Sequence, residues 1–260
     1  MRRRAALALP ALLLARPAAA VEWRGTPAQG TLLIGQGAQG ARITLDGQPV
    51  RVSPEGFFVL GFGRDHGPQA VLSVNGVARS IAVARREWDV QHITGLPPAQ
   101  VTPDAAALER IRLERERLNA VRGVDSSRVD FAGGLAWPAR GRISGVFGSQ
   151  RVLNGQPRQP HFGLDVAGPV GTPILAAAAG KVTLAADFHF FGKLIVLDHG
   201  HGVNTLYAHL SAMDVREGDE VRQGGRLGAM GATGRVTGPH LHFSLGWYRL
   251  WLDPQPLLAA

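Results

Sequence analysis

His161-Phe162-Gly163-Leu164-Asp165 opens the stretch whose reading decides the fold, and Gly238-Pro239-His240-Leu241-His242-Phe243 closes it. Between them run short alternating segments that end in turns: Gly180-Lys181-Val182-Thr183-Leu184, Lys193-Leu194-Ile195-Val196-Leu197 and Thr205-Leu206-Tyr207. No helix-length apolar period separates them, so the stretch reads as mostly antiparallel sheet. Seven of the nine His lie between positions 161 and 242. On a strand, even spacing puts side chains on one face. His161 and Asp165 stand four apart, and His240 and His242 two apart, so two such pairs on neighbouring strands can converge on one point. Three protein N/O ligands with one open position is the pattern of a catalytic zinc. Either pair alone is a weak signal. Their co-occurrence with Asp198-His199-Gly200-His201-Gly202, with Tyr207-Ala208-His209-Leu210 and with the Gly-rich 231–239 segment carries more.

Outward from this stretch, the alternating pattern begins near Phe131 and includes Arg142-Ile143-Ser144, so residues 130–260 read as one β domain. Upstream, Thr102-Pro103 looks like a helix start, and Ala107, Ile111, Leu118 and Val121 sit among charges. That predicts a connector helix over 101–123, with Glu109, Glu114 and Glu116 interleaving its arginines. Residues 21–100 read as a small N-terminal β domain, with Asp46-Gly47 and Asn75-Gly76 as hairpin turns. Its His66 and His92 are isolated and read as ordinary polar residues. The fold class expected is thus mainly β: a small N-terminal β domain, a connector helix and a C-terminal antiparallel barrel or sandwich.

Residues 1–20 read as a signal peptide: Arg2-Arg3-Arg4, a short apolar run from Ala5 to Ala15, and Ala18-Ala19-Ala20 as a cleavage site. The run is too short to span a bilayer comfortably, and Arg16 interrupts it. The formal charge is +8, from 28 basic and 20 acidic residues, and cleavage would leave 24 against 20. Residues 21–129 hold 13 basic and 11 acidic side chains, and 130–260 hold 11 and 9. Neither half carries a basic run with interleaved aromatics, which argues against a nucleic-acid binder. With no Cys there is no disulfide framework and no thiolate ligand, so any metal site must be built from His, Asp and Glu.

These motifs, in this order and spacing, resemble the M23 (LytM, lysostaphin-like) zinc metallopeptidases over residues 131–256. The resemblance runs through Gly141–Gly148, His161–Ala167, Gly171–Ala176, Gly180–Val182, Asp198–Gly202, Tyr207–Leu210 and Gly238–Phe243. It implies a β-rich domain with one zinc ion in a groove, and cleavage of peptide bonds in peptidoglycan. Carried over by position, it implies His161, Asp165 and His242 as zinc ligands and His209 and His240 as catalytic histidines. The chain has no H-E-x-x-H, so the Glu base of that protease class is missing. His209 is then expected as general base and His240 as oxyanion stabiliser, with the reverse assignment as the alternative. Tyr207 and Asn154 are expected to line the substrate groove. The competing reading for Tyr207 is a core residue, and for Asn154 a turn at Asn154-Gly155. His199 and His201 are expected to be structural or groove-lining, and His189 a surface residue.

The implied partner is peptidoglycan, with no nucleic acid and no transmembrane segment in the mature chain. The location implied is the periplasm, and the bond a D-Ala–diaminopimelate cross-link rather than a glycine bridge. The alternative is a non-catalytic regulator that activates a cell-wall amidase. Its mark would be ligand loss, and none of the expected ligands is lost. The N-terminal domain is open to three readings: glycan binding, docking of a partner, or covering of the groove together with the 149–160 loop.

Overall fold

The computed structural model describes residues 21–94 and 105–258. The signal-peptide reading of residues 1–20 and the Thr102-Pro103 helix start lie outside the described residues. The N-terminal strands are β1 (Glu22–Arg24), β2 (Leu32–Gln36), β3 (Ile43–Leu45), β4 (Gln48–Val50), β5 (Phe58–Gly61), β6 (Gln69–Val74), β7 (Val77–Ala82) and β8 (Val90–Ile93). Helix α1 (Ala105–Arg122) follows. Then come β9 (Arg142–Gly145), β10 (Gln150–Leu153), β11 (Gln156–Pro157), β12 (Leu164–Ala167), β13 (Pro173–Leu175) and β14 (Gly180–Phe188). The last strands are β15 (Gly192–Gly200), β16 (Val203–Met213), β17 (Glu220–Val221), β18 (Arg226–Met230), β19 (His240–Trp247) and β20 (Leu250–Leu252). The architecture is mainly β, as expected.

The N-terminal strands form a β1-β2-β5 sheet and a β4-β3-β6-β7 sheet. The two expected hairpins are present. Asp46 and Gly47 sit at φ 50° and 78°, and Asn75 and Gly76 at 52° and 84°, the left-handed conformations that a two-residue hairpin turn of matching twist requires. Ten of the C-terminal strands form one antiparallel sheet, with β17-β14-β15-β16-β19-β12-β9 as its main path, while β10 and β11 join β8 in a separate three-stranded sheet.

Both faces of this sheet are covered, which explains why Lys193–Leu197 reads as a nearly unbroken apolar run. Ile195 and Leu197 enter the main core, while Leu194 and Val196 enter a second layer with Leu118 of α1. Strand β14 switches faces within itself: Val182 lies in the core and Leu184 in the α1 layer, with a register shift between them. Helix α1 is therefore packed, not only solvated. Ile111 and Leu118 are buried, and the Arg122 guanidinium lies over the Trp251 ring. Leu32, Ile34 and Val59 of the N-terminal strands also join the main core, and Trp247 packs against both large clusters. Among the described residues, no helix is long and apolar enough to cross a membrane.

Candidate metal centre

Strands β12 and β19 pair antiparallel, with Asp165 opposite His242 and Ala167 opposite His240. Directly opposed residues point to the same face. Leu164 and Val166 on one strand, and Leu241 and Phe243 on the other, take the opposite face into the core. The alternation that buries the apolar residues thus lifts Asp165, His240 and His242 together onto the other side. Gly145 of β9 stands opposite Asp165 on its other flank.

Asp165 and His242 meet through Oδ1 and Nδ1 at 2.9 Å. His161, just before β12, brings Nε2 to 3.1 Å from Asp165 Oδ1 and 3.0 Å from His242 Nδ1. In a tetrahedral zinc site with bonds of about 2.0–2.1 Å, neighbouring ligand atoms lie about 3.3 Å apart. The three donor atoms are close to that spacing, and two imidazoles with one carboxylate form a set that zinc accepts. Each imidazole is oriented from its far nitrogen. His161 Nδ1–H donates to the Val146 carbonyl (3.0 Å). His242 Nε2 lies 2.9 Å from the buried Ser244 hydroxyl, and a proton on Nε2 donated to that hydroxyl would leave the Nδ1 lone pair facing Asp165 and His161. Burial works against ionisation of Asp165, but the imidazoles of His161 and His242 set against Oδ1 outweigh it and hold the carboxyl well below the usual range. Burial pushes His242 below the ordinary histidine value, partly offset by Asp165.

His209 and His240 stand beside this triad. Their ring centroids are 4.8 Å apart, and His209 is 5.9 Å from the His242 ring. His240 Nε2 is 3.9 Å from Asp165 Oδ1. Both donate Nδ1–H to a backbone carbonyl, His209 to Thr233 and His240 to Gly238, each at 2.9 Å. The neutral His209 ring therefore keeps Nε2 as its unprotonated nitrogen. His209 reaches its place through backbone distortion. Ala208 is paired with His242, so a regular strand would turn His209 to the other face. The β15–β16 register slips between Lys193 and Ile195, and His209 adopts φ 65°. A non-glycine residue held in that region by a bulge is a recurrent feature of working sites. Burial, then the charge of His242, pushes the His209 pKa down to about 4.

The structure brings together His161, Asp165, His209, His240 and His242. It does not bring Tyr207 to the groove. Tyr207 pairs with Phe243 and faces the core, wholly buried. Its hydroxyl accepts the Ala177 N–H at 2.8 Å and lies 3.1 Å from Thr205 Oγ1. The groove expectation for Tyr207 is thereby corrected in favour of the core reading, because the odd spacing from Ala208 puts it on the inner face. Asn154 is an exposed turn residue at φ 49°, at the tip of the β10–β11 hairpin. His199 is buried, with Nδ1 2.6 Å from the Ala179 carbonyl, and His201 is buried against Phe131. His189 is half-buried, and its backbone N–H donates to Glu114. Sequence reasoning missed Ser244 and the carbonyls of Val146, Thr233 and Gly238. Ser244 carried a usable signal, two residues beyond His242 on the same strand face.

The model of peptidase family M23 matches residues 159–254. The peptidoglycan DD-endopeptidase ShyA of Vibrio cholerae is 42% identical over 105 residues, covering 40% of this chain and 24% of ShyA. The cell division protein DipM of Caulobacter vibrioides is 40% identical over 114 residues, covering 44% of this chain and 18% of DipM. The matched segment thus spans a quarter or less of these two curated relatives. A crystal structure from Pseudomonas aeruginosa, whose description assigns it to peptidase M23, superposes with a TM-score of 0.68 at 30% identity. That match covers 90% of this chain and 96% of the other. A likeness that extends over nearly all of both chains, with the family's own segment centred on the His/Asp cluster, makes this chain a member of peptidase family M23.

Proposed function

We propose that the protein is a zinc-dependent endopeptidase that hydrolyses peptide cross-links of peptidoglycan, exported to the periplasm. The observation that carries this reading is the geometry of the five side chains. Three donor atoms lie about 3 Å from one another, and two further imidazoles border them, each tied through Nδ1 to a backbone carbonyl. His161 through Nε2, Asp165 through Oδ1 and His242 through Nδ1 would hold the ion. Bound there, zinc supplies a Lewis acid that makes a water acidic near neutral pH and polarises a carbonyl.

The chain's own residues then handle protons. Burial keeps His209 neutral at pH 7, so its Nε2 can accept the proton of the attacking water and return it to the leaving amine nitrogen. The Thr233 carbonyl, accepting Nδ1–H, fixes the tautomer that this requires. His240, when protonated at Nε2, donates to the oxyanion as the carbonyl carbon becomes tetrahedral. The wall chemistry named for ShyA supports the substrate class, and D-Ala–diaminopimelate cross-links are the bond we propose. The regulator reading would be favoured by loss of the expected ligands, and the sequence keeps His161, Asp165 and His242.

Purified protein is tested for bound zinc and for release of muropeptides from isolated sacculi. His242→Ala is expected to lose zinc and activity together. Unchanged release by that variant would sink the proposal.

A further inference from the structure

The three donor residues are not held alike. Asp165 and His242 face each other across one pair of sheet strands, so the ladder itself sets their separation. His161 lies outside the strands, between β11 and β12. Its hold comes from a short segment beside it. The His161 N–H donates to Ser149 O at 2.7 Å, its carbonyl accepts from Gly148 N–H at 2.8 Å, and its ring donates to Val146 O at 3.0 Å. Wherever residues 146–149 go, the His161 imidazole goes too.

That segment is gripped by the N-terminal β region. The Trp88 ring packs on Gly148 so closely that a Cβ there would fall 2.8 Å from Trp88 Cδ2, and Gly148 is at φ 85°. Trp88 also meets Phe147 edge-on at 5.8 Å, and Phe147 is buried, with Gly30 packed against it. Arg64, its side chain only 10% exposed, donates Nε–H to the Gly148 carbonyl at 2.9 Å. Gln150 N–H donates to Asp89 O, and β8 continues that contact as a parallel partner of β10. Trp88 is held in turn: the Arg64 and Arg86 guanidiniums lie 5.2 and 4.6 Å from its ring centroid, and Arg86 is paired with the buried Asp253.

We propose that the N-terminal β region positions the metal ligand His161, with Trp88 and Arg64 clamping the Phe147–Ser149 backbone from which that imidazole is hung. Metal sites accept ligand displacements of only about 0.2 Å. A clamp that sets the backbone on both sides of one ligand therefore sets affinity for the ion, although neither Trp88 nor Arg64 is itself one of the three donor residues. In this account the N-terminal region completes the site rather than covering it. The inference rests on the zinc reading above and deepens it.

The test measures zinc affinity of the full chain by competition with a chromogenic chelator, alongside thermal unfolding of the zinc-free protein and the visible spectrum of the cobalt-substituted protein. Loss of a residue that orients a metal ligand typically weakens affinity by about 10- to 100-fold, and Trp88→Ala is expected in that range. Trp88→Phe, which keeps an aromatic face on Gly148, is expected to recover most of it. Arg64→Gln is expected to weaken zinc by a smaller factor, and it serves if Trp88→Ala does not fold. Arg79→Ala, which removes a cation–π contact on Trp23 in the same region, is expected to leave affinity unchanged. The cobalt spectrum of Trp88→Ala is expected to change in intensity, which a loss of stability alone would not produce. Folded Trp88→Ala and Arg64→Gln proteins with parental zinc affinity would overturn the positioning role. Failure of the unsubstituted protein to bind zinc would instead overturn the metal reading, and this inference with it.

Discussion

Gly145→Ala changes one hydrogen into a methyl group and is predicted to disable the metal site while leaving the sheet intact. Gly145 is the partner of Asp165 in the β9–β12 ladder. A Cβ built there would stand 3.0 Å from Asp165 Cγ and 3.2 Å from its Cβ, and nearer still to Oδ2. Carbon atoms in comfortable contact are about 3.5–4.0 Å apart, so the Asp165 side chain must retreat by at least ~0.5 Å. Rotation of the carboxylate gives no escape. Cβ and Cγ are themselves crowded, and turning the group carries Oδ1 off the point where it meets His161 and His242. A shift of ~0.5 Å exceeds the ~0.2 Å that a ligand distance tolerates. Zinc affinity should fall by about 10- to 100-fold or more. Stability of the zinc-free protein should change little, because the clash is with one side chain at the edge of the groove rather than with backbone. Gly67, with nothing within 4 Å of a built Cβ, is the control for Gly→Ala as such. Chelator competition gives the affinities and thermal unfolding the stabilities. A Gly145→Ala protein that binds zinc as tightly as its Gly67→Ala counterpart would refute the packing argument.

Ser244→Ala removes the hydroxyl that accepts the His242 N–H in a position only 1% exposed. An unsatisfied buried donor costs about 1–3 kcal/mol, so both the unfolding free energy and zinc affinity should drop, and Ser244→Thr should restore part of each. His199 gives a pH dependence. Burial lowers its pKa in the fold, so the unfolded chain takes up the proton first as acid is added. Its contribution to stability is present above the unfolded value of about 6.5 and is lost as pH falls below it. Urea titrations between pH 7 and pH 5 should show a shallower decline for His199→Gln than for the parent, and equal slopes would contradict this. The difference cannot exceed about 1.4 kcal/mol per pH unit for one proton.

Features set by local alternation were legible in the sequence. The i, i+2 spacing of His240 and His242, and of the core residues Leu241 and Phe243 between and beyond them, needs only the two-residue period of a strand. The turns at Asp46-Gly47 and Asn75-Gly76 need only a glycine and a residue tolerant of positive φ. The Asn154-Gly155 turn was legible for the same reason, and the structure has Asn154 at a hairpin tip. Tyr207 went to the core because the same alternation, applied from Ala208, faces it inward beside Phe243. His209 was legible as a residue type within a motif but not as a geometry, since a bulge that turns one residue to the other face leaves no periodic trace. The Trp88–Gly148 contact joins positions 60 apart, and the meeting of Leu32, Ile34 and Val59 with the C-terminal core spans more than 70 residues. Such contacts are decided by packing of whole layers, and the amphipathic pattern of each strand is compatible with many partners.

If the cluster of five side chains hydrolyses a wall cross-link, His209→Ala removes the group that takes the proton of the attacking water. The measurement is the rate at which the zinc-loaded variant cleaves a purified cross-linked muropeptide, read by mass spectrometry beside its zinc content. Full zinc occupancy is expected with a rate lowered by about 10²- to 10⁴-fold, the share of a general base. A zinc-loaded His209→Ala protein that cleaves at the parental rate, or a zinc-loaded parent that leaves the cross-link whole, would contradict it.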